Sequence, residues 1–247
     1  MNFIRIIPSL LISNSKLVKG IKFKNFKNAG SPVTTVSALD SQKADEIFIV
    51  DIDSYNKKKA PDLKILEKIA EISSTPITFG GGIDSLEIAK KVFSNGADKI
   101  FLNSTLFTNI EIINEISEIY GNQAVVGGIN IIKKNKRYYL LEDKTLKIDP
   151  IQYAKKLEKS GLAELKIIYV DLEGTKEGID YDYSERINNS VKIPCIFEGG
   201  IGSLEQLSKC FNHGLNSIAL GTMITFSDHN IIKIKNYLKN KNLSVRL

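Results

Sequence analysis

Paired glycines occur at two places in the chain where a strand-like segment passes into a helix-like one. The first group is Gly80–Gly82 and the second is Gly199–Gly200. Glycine allows backbone N–H groups to approach an anion closely at the start of a helix. The strand-like segment after each group ends in small polar residues, Asn103–Ser104 and Gly221–Thr222. This duplicated arrangement predicts phosphate binding and a ligand with two anionic ends; the alternative is that the glycines only form tight turns.

A long lysine-rich segment at 13–33 follows the first strand-like run. Loops of this length in compact domains are commonly lids or binding loops. Lys19, beside Gly20, is placed to reach an anion, whereas the other lysines of the segment fit a solvated basic hairpin. We therefore predict this phosphate-binding set: Lys19, Gly81, Gly82, Asn103, Ser104, Glu173, Gly174, Gly199, Gly200, Gly221 and Thr222. Because Glu173 and Glu198 make the second half of the set more acidic, we expect that half to bind phosphate more weakly.

Carboxylates for acid–base chemistry also follow strand-like runs. Asp51, Asp171 and Glu173 stand at such ends, which is where the catalytic groups of α/β barrels lie. The chain has two histidines, both near its end, and they suggest no Ser-His-Asp or Cys-His arrangement. Cys195 lies within an apolar run and is interpreted as a core residue. Two cysteines and two histidines exclude a disulfide framework and a zinc ribbon, and neither a metal nor a cofactor is predicted.

The elements that position these residues are eight apolar runs of strand length, which alternate with helix-like segments. The runs are 4–12, 46–51, 76–80, 98–103, 124–130, 165–170, 194–198 and 217–221. Helical periodicity is clear at 62–72 and at 85–96, where Asp84 and Glu87 have the capping-box spacing. An insertion at 131–141 predicts a hairpin that turns at 134–136. Eight strand–helix units in 247 residues predict an α/β protein that closes as a (β/α)8 TIM barrel.

An internal repeat supports this architecture. Residues 76–107 align without gaps on residues 194–225, which lie 118 positions further along the chain. A solenoid of short repeats would show more than two copies. We therefore predict a single domain built from two similar half-barrels, at about 1–120 and 121–247.

The amino-acid composition indicates the broad class of protein. The chain is 43% hydrophobic and 25% charged, which is ordinary for a globular protein. It contains no apolar run of the roughly 18 residues that span a bilayer, and its start lacks the features of a signal peptide. The net charge of +6 is dispersed rather than clustered. We expect a cytoplasmic protein that binds neither nucleic acid nor membrane.

Several segments resemble one known family over essentially the whole chain: HisF, the cyclase subunit of imidazole glycerol phosphate synthase. The matching blocks are RIIPSLLI with the downstream LVKG, the strand ending in Asp51, FGGGI, KIFLNS, GNQAVV, EGTKEG and YLKNKNLSVRL. The resemblance implies a TIM barrel that receives ammonia from a HisH-like glutaminase through the barrel core. In that family the ammonia is used in a lyase–cyclase reaction on a bisphosphorylated substrate.

The chain departs from the family at the catalytic positions. Two aspartates at the ends of the first and fifth barrel strands serve the family as general acid and base, and Leu11 and Asn130 stand at those positions here. Leucine cannot transfer a proton, and a carboxamide has no useful pKa near neutrality. Because acid–base assistance is worth roughly 10²–10⁴-fold per group, cyclisation should be nearly abolished. The alternative is that Asp51 or Glu173 replaces the missing groups.

The ammonia entrance of the family is better preserved. In HisF it is a ring of alternating charges at the barrel floor, and its four positions fall on residues of the family's type: Arg5, Glu46, Lys99 and Glu164. Asp98, beside this ring, matches a residue that docks the glutaminase. The resemblance thus implies an ammonia gate; the alternative is that the ring only closes the floor with ion pairs.

Two features occur together here: the catalytic aspartate at the end of the first strand is replaced, and the ammonia entrance is retained. This combination resembles the HisF-like branch of acetamidino modification. There, a HisF-like barrel and a HisH-like glutaminase supply ammonia to a sugar amidotransferase that makes acetamidino sugars for lipopolysaccharide or flagellin glycan. The implied ligand is a phosphorylated or nucleotide-linked sugar. Many members of that branch keep an aspartate where this chain has Asn130. The alternatives are a true cyclase of histidine biosynthesis and, third, an isomerase or other phosphosugar barrel.

Overall fold

The computed structural model describes residues 3–57 and 59–246. Within them the strands are β1 (Arg5–Ser13), β2 (Lys16–Ile21), β3 (Lys24–Gly30), β4 (Ile47–Asp51), β5 (Ile77–Gly80), β6 (Lys99–Leu102), β7 (Val125–Lys134), β8 (Arg137–Leu140), β9 (Glu164–Tyr169), β10 (Cys195–Glu198) and β11 (Ser217–Leu220). The helices are α1 (Pro32–Ser41), α2 (Ile52–Lys57), α3 (Leu63–Ala70), α4 (Leu86–Ser94), α5 (Ser104–Thr108), α6 (Ile112–Tyr120), α7 (Pro150–Lys159), α8 (Tyr181–Asn188), α9 (Leu204–Asn212), α10 (Thr222–Thr225) and α11 (Ile231–Asn240). A 3-10 turn at Asn122–Ala124 precedes β7.

Eight of the strands close into a parallel barrel. They are hydrogen-bonded in the order β1, β4, β5, β6, β7, β9, β10 and β11, and β11 returns to β1, with Arg5 opposite Ser217. Helices follow the barrel strands, as expected for parallel strands that need crossover connections. The predicted (β/α)8 barrel is confirmed, and each of the eight predicted runs overlaps one barrel strand. The division into two half-barrels stays a prediction.

The strands outside the barrel form two hairpin extensions at the carboxyl ends of β1 and β7. The lysine-rich segment pairs as β2 and β3, with β2 antiparallel to β1. β8 pairs antiparallel with β7 around Asn135 and Lys136, whose φ angles of 48° and 65° are left-handed. The predicted hairpin is therefore confirmed. We call the carboxyl ends of the barrel strands the mouth and their amino ends the floor.

The two repeated helices begin at equivalent serines. Ser85 caps α4 by accepting the backbone N–H of Ile88, so the predicted cap at Asp84 is wrong by one residue. In the second copy, Ser203 and Gln206 form a complete capping box at the start of α9. A serine hydroxyl accepts the first backbone N–H groups of a helix readily, and the cap falls on serine in both copies.

Alternate residues of the barrel strands face two separate apolar layers. One layer packs between the sheet and the surrounding helices, and the other fills the barrel interior with Ile7, Phe48, Phe101, Val126, Ile168, Ile196 and Ala219. Strands buried on both faces read as nearly continuous apolar runs, which is why their positions are evident in the sequence. Among the residues described, no helix is long and apolar enough to cross a membrane.

Candidate functional site

A cavity of about 620 Å³ opens at the mouth of the barrel. Its wall combines apolar side chains with polar groups from the ends of several strands, as ligand sites of α/β barrels do. The polar or charged lining residues include Ser9, Asp51, Asn103, Ser104, Thr105, Thr108, Asn130, Glu142, Lys144, Lys166, Glu173 and Glu198. Leu11 and both hairpin phenylalanines, Phe23 and Phe26, also line it.

Leu11 and Asn130, which are predicted to stand at the family's catalytic positions, both face this cavity. Leu11 presents only an apolar side chain. Asn130 donates a hydrogen bond from Nδ2 to Glu142 Oε1 at 2.8 Å, and its Oδ1 is buried with no hydrogen-bond partner among the residues described. Burial raises the pKa of Glu142, and the hydrogen bond from Asn130 offsets this only in part. The carboxyl group nearest to Asn130 therefore comes from Glu142, which follows the β7–β8 hairpin.

Asp51 lies in the cavity wall but is held by the backbone. Its carboxylate accepts the N–H groups of Asp53 at 2.9 Å and Asp62 at 3.0 Å. Burial raises the pKa of Asp51 despite these bonds. Asp171 lies elsewhere: it accepts the backbone N–H of Lys133 at 2.6 Å and does not line the cavity. Of the two, only Asp51 is placed to meet a ligand.

The first glycine group forms an open edge of the cavity, which we call the first cradle: Gly81, Gly82, Asn103 and Ser104. Gly81 has φ +106°, and a Cβ there would lie 2.1 Å from the carbonyl oxygen of Asp51, so only glycine fits. The side chains of Asn103 and Ser104 make no hydrogen bond within the described part of the chain. The structure thus brings together the four residues predicted from the first repeat.

The second glycine group, which we call the second cradle, consists of Gly174, Gly199, Gly200, Gly221 and Thr222. Here the predicted residues also come together, but Lys19 and Glu173 form a buried ion pair among them. Lys19 is 4% exposed and Glu173 is 2% exposed, and only about 10 Å³ of free space remains between the groups. Burial raises the pKa of Glu173, which Lys19 counteracts only in part. Phosphate binding in either cradle stays a prediction.

At the floor, the four charged residues Arg5, Glu46, Lys99 and Glu164 form a closed ring, which we call the floor ring. Arg5 contacts Glu46 at 3.4 Å and also pairs with Glu164, while Lys99 contacts Glu46 at 3.1 Å and Glu164 at 2.8 Å. Burial alone would lower the pKa of Lys99, but the two carboxylates outweigh it and raise that pKa. Asp98 is exposed beside the ring and accepts the backbone N–H of Ile77 at 2.8 Å.

Between floor and mouth lies a second charged layer that the sequence analysis missed. Lys166 Nζ contacts Glu198 at 2.6 Å and Ser9 Oγ at 3.2 Å, and lies 4.1 Å from the centre of the Phe48 ring. We call Lys166 and Glu198 the inner pair. Although burial opposes ionisation, Lys166 and Lys19 lower the pKa of Glu198. A signal existed: within β9, Lys166 alternates with Leu165 and Ile167, and so shares the inward face with Glu164.

The chain is a (β/α)8 barrel protein. It has ligand-sized space at the mouth and ionisable groups at both ends of the barrel axis. A family profile described as histidine biosynthesis protein matches residues 5–230. The chain is 35% identical over 249 residues to the imidazole glycerol phosphate synthase subunit HisF of Sulfurisphaera tokodaii. It is 36% identical over 247 residues to the HisF subunit of Chlorobium phaeovibrioides. Both alignments cover 98% of this chain and 98% of the relative.

These matches show the family: the chain belongs to the histidine biosynthesis proteins and, among them, to the HisF family. A HisF subunit of Methanocaldococcus jannaschii, 34% identical over 267 residues, gives the same result. The names of these relatives favour the imidazole glycerol phosphate synthase interpretation over the acetamidino one. Leu11 and Asn130, at the positions predicted to correspond to the family's two catalytic aspartates, are the local feature that points the other way.

Proposed function

We propose that this chain is a HisF-type subunit that conducts ammonia but does not itself carry out the cyclase reaction. A HisH-like glutaminase docks at the floor, ammonia enters through the floor ring, and it leaves at the mouth for use by a sugar amidotransferase. The assembly works in the cytoplasm and produces acetamidino sugars for lipopolysaccharide or flagellin glycan. The observation that carries the proposal is Leu11, an apolar side chain in the cavity wall where the family's reaction needs a carboxylate.

The chemical argument concerns proton transfer at the mouth. A general acid or base must lie within hydrogen-bond reach of the reacting atom, and each contributes roughly 10²–10⁴-fold. Leu11 offers no such group. Asn130 is an amide, and the hydrogen bond from its Nδ2 fixes it against Glu142 rather than leaving the nitrogen free for a ligand. The family's acid–base pair is therefore absent at both positions.

The floor ring supports the ammonia-conducting part of the proposal. Its four members alternate in charge, so each carboxylate contacts two cations and each cation two carboxylates. Such a ring hinders bulk ions, while a small displacement of Lys99 would open a path for neutral ammonia. The exposed carboxylate of Asp98 stands beside it on the surface where a glutaminase would dock.

A second candidate is the cyclase subunit of imidazole glycerol phosphate synthase in histidine biosynthesis. Identities of 34–36% to HisF subunits over nearly the whole chain favour it. In this case Asp51 and Glu142 would have to supply the proton transfers, since both carboxyl groups line the cavity and burial raises the pKa of each. The two candidates share the glutaminase and differ in where the ammonia reacts.

Reconstitution tests the proposal. The chain is purified with a HisH-like glutaminase and a sugar amidotransferase from the same organism, then given an N-acetyl sugar and glutamine with a heavy-nitrogen amide. The proposal predicts an acetamidino product that carries the label and depends on the barrel. An Asp98→Lys variant should lower glutamine-dependent transfer and leave transfer from added ammonium salt unchanged. Label transfer that is equally fast without the barrel would contradict the proposal.

A further inference from the structure

The side chain of Lys166 crosses the barrel interior. Lys166 lies on β9, the sixth strand in the barrel order, and Phe48 lies on β4, the second, so these two strands face each other across the axis. Lys166 Nζ nevertheless lies 4.1 Å from the centre of the Phe48 ring, and 5.1 Å from that of Phe101 on β6. The ammonium group of Lys166 is therefore close to the barrel axis, between the floor ring and the mouth cavity.

The groups around this ammonium group are those that bind a free ammonium ion. Lys166 Nζ contacts Glu198 Oε2 at 2.6 Å and donates to Ser9 Oγ at 3.2 Å, and Ser9 Oγ donates to the same carboxylate at 3.0 Å. Carboxylate and hydroxyl oxygens accept N–H donors, and aromatic faces attract cations within about 6 Å of the ring centre. One carboxylate, one hydroxyl and two aromatic rings thus form a cation site, which we call the inner site: Ser9, Phe48, Phe101 and Glu198.

The inner site separates two parts of the barrel interior. On the floor side lie apolar side chains such as Ile7 and Val126. On the other side lies the mouth cavity, whose lining includes Ser9, Lys166 and Glu198. Lys166 is 1% exposed, so its ammonium group fills the site and closes the passage in this structure. A molecule that moves along the axis passes only when Lys166 withdraws toward the cavity.

Ammonia has the chemistry that fits this passage. It is neutral, so it crosses the apolar layer at a lower cost than an ion does. Its N–H groups can replace those of Lys166 at Glu198 and Ser9, so withdrawal of the lysine leaves neither oxygen unpaired. This matters because a buried acceptor that loses its donor destabilises the folded protein. The inner site therefore suits a small nitrogen donor without a carbon chain.

We propose that the inner site is a transit site for ammonia and that Lys166 is its movable plug. The ammonium group of Lys166 fills the site when no ammonia is present. Ammonia that arrives from the floor takes its place, donates N–H groups to Glu198 and Ser9, and then moves on to the mouth. The exchange forms and breaks no covalent bond. This inference deepens the proposed function and rests on it, since it takes the barrel as an ammonia conduit.

Chemical rescue tests the inner site without the partner proteins. Lys166→Ala removes the plug and opens the site to the mouth cavity. We expect ammonium chloride, compared with sodium chloride at the same ionic strength, to raise the melting temperature of this variant. The rise should saturate and reach about 3–6 °C at roughly ten times the apparent dissociation constant. The parent, whose site is filled, should show no such rise, and Lys166→Ala/Glu198→Gln should lose it.

Equal melting temperatures of Lys166→Ala in the two salts would overturn the inner site. If this variant does not fold in sodium chloride, the yield of folded protein after dilution from urea replaces the melting temperature as the readout. Ammonium chloride must then raise that yield. A variant that folds in neither salt gives the same contrary result.

Lys166→Arg tests the plug in the assembled complex. Arginine keeps the positive charge but binds a carboxylate through two N–H groups, so it should leave the inner site less readily. We expect the ratio of transfer from glutamine to transfer from added ammonium salt to fall about tenfold, the effect of one more hydrogen bond to a charged group. Lys166→Met/Glu198→Leu, which has neither plug nor carboxylate, should keep at least the parent's ratio.

A folded Lys166→Arg variant with the parent's ratio would contradict the plug, because an ion pair that only stabilises the barrel tolerates arginine. A double variant whose ratio falls would contradict it as well. If Lys166→Arg does not fold, the double variant decides.

Failure of this inference and failure of the proposed function give different results. If Lys166→Ala melts equally in both salts while the parent assembly still transfers glutamine nitrogen through the barrel, only the inner site is overturned. If the parent assembly transfers glutamine nitrogen equally fast without the barrel, the proposed function is overturned, whatever ammonium does to Lys166→Ala.

Discussion

The side chains of Asn130 and Glu142 contact each other in the wall of the mouth cavity. The amide of Asn130 holds the Glu142 carboxyl at 2.8 Å. Burial raises the pKa of that carboxyl above its ordinary value of 4.5. A carboxyl whose pKa is raised by folding stabilises the folded state fully below the unfolded pKa, and this stabilisation is lost as pH rises through the folded pKa.

The substitution Glu142→Gln tests whether ionisation of the buried Glu142 carboxyl lowers the stability of the folded state. Glutamine keeps a hydrogen-bonding oxygen for Asn130 but cannot ionise. We expect equal stability of parent and variant in acid and a more stable variant at neutral pH, because only the parent then carries a buried charge. Urea unfolding at both pH values measures this difference. A pH dependence that is the same in both proteins would contradict the assignment.

At the scale of elements, the barrel strands and their order could be predicted because each strand is an apolar run flanked by turn residues. The positions of the mouth glycines followed from the repeat. The inner pair could not be predicted, since it depends on the register that places Leu165 opposite Cys195 and so brings Lys166 of β9 beside Glu198 of β10. The contact of Asn130 with Glu142 was equally hidden, because it requires the exact length of the β7–β8 hairpin.

The residue that caps the start of α4 could not be predicted from the sequence either. Asp84 and Ser85 are adjacent, and both are residue types that cap helices. The spacing to Glu87 favoured Asp84, whereas the structure uses Ser85, which corresponds to Ser203 in the second copy. The sequence therefore predicted the existence of the helix but not which of two neighbouring polar residues begins it.

The inner pair gives a prediction about two neighbouring strands. Lys166 is 1% exposed, and Lys166→Met leaves Glu198 buried without its cation. Breaking a buried pair by removal of one partner costs about 3–5 kcal/mol, and we expect a loss of this order in urea unfolding. The double variant Lys166→Met/Glu198→Leu should recover much of it. Lys91→Met, which removes an exposed pair with Glu87, serves as the control and should change little.

A double variant as unstable as Lys166→Met alone would contradict this account. The pair would then owe its importance to shape and packing against Phe48 and Phe101 rather than to the matching of charge.

At the scale of the whole molecule, the barrel axis connects two charged layers and the mouth cavity. The floor ring lies at the amino ends of the strands, the inner pair lies above it, and the cavity opens at the carboxyl ends. A closed ring of four charges at the floor, together with apolar Leu11 and the amide Asn130 in the wall of the mouth, fits the proposed conduit better than an independent cyclase. The ring's members lie on four different barrel strands or their edges, so only closure of the barrel brings them together.

Lys99→Met tests the conduit in the assembled complex. It removes one cation from the floor ring and leaves Glu46 and Glu164 less compensated. We expect a folded but less stable protein in which glutamine-dependent product formation changes, while formation from added ammonium salt does not. Lys68→Met, on the exposed face of α3, is the control. If both activities fall in parallel, the ring only stabilises the barrel floor.

Whether this HisF-family barrel only conducts ammonia or also cyclises a substrate is decided by one turnover measurement. The purified chain is given the bisphosphorylated cyclase substrate and ammonium salt in excess, beside the variant Leu11→Asp/Asn130→Asp, which restores both carboxylates. We expect no appreciable turnover by the parent, and turnover at least about 10²-fold higher in the variant if its mouth still admits the substrate. Turnover by the parent at the rate of an authentic cyclase would contradict the account.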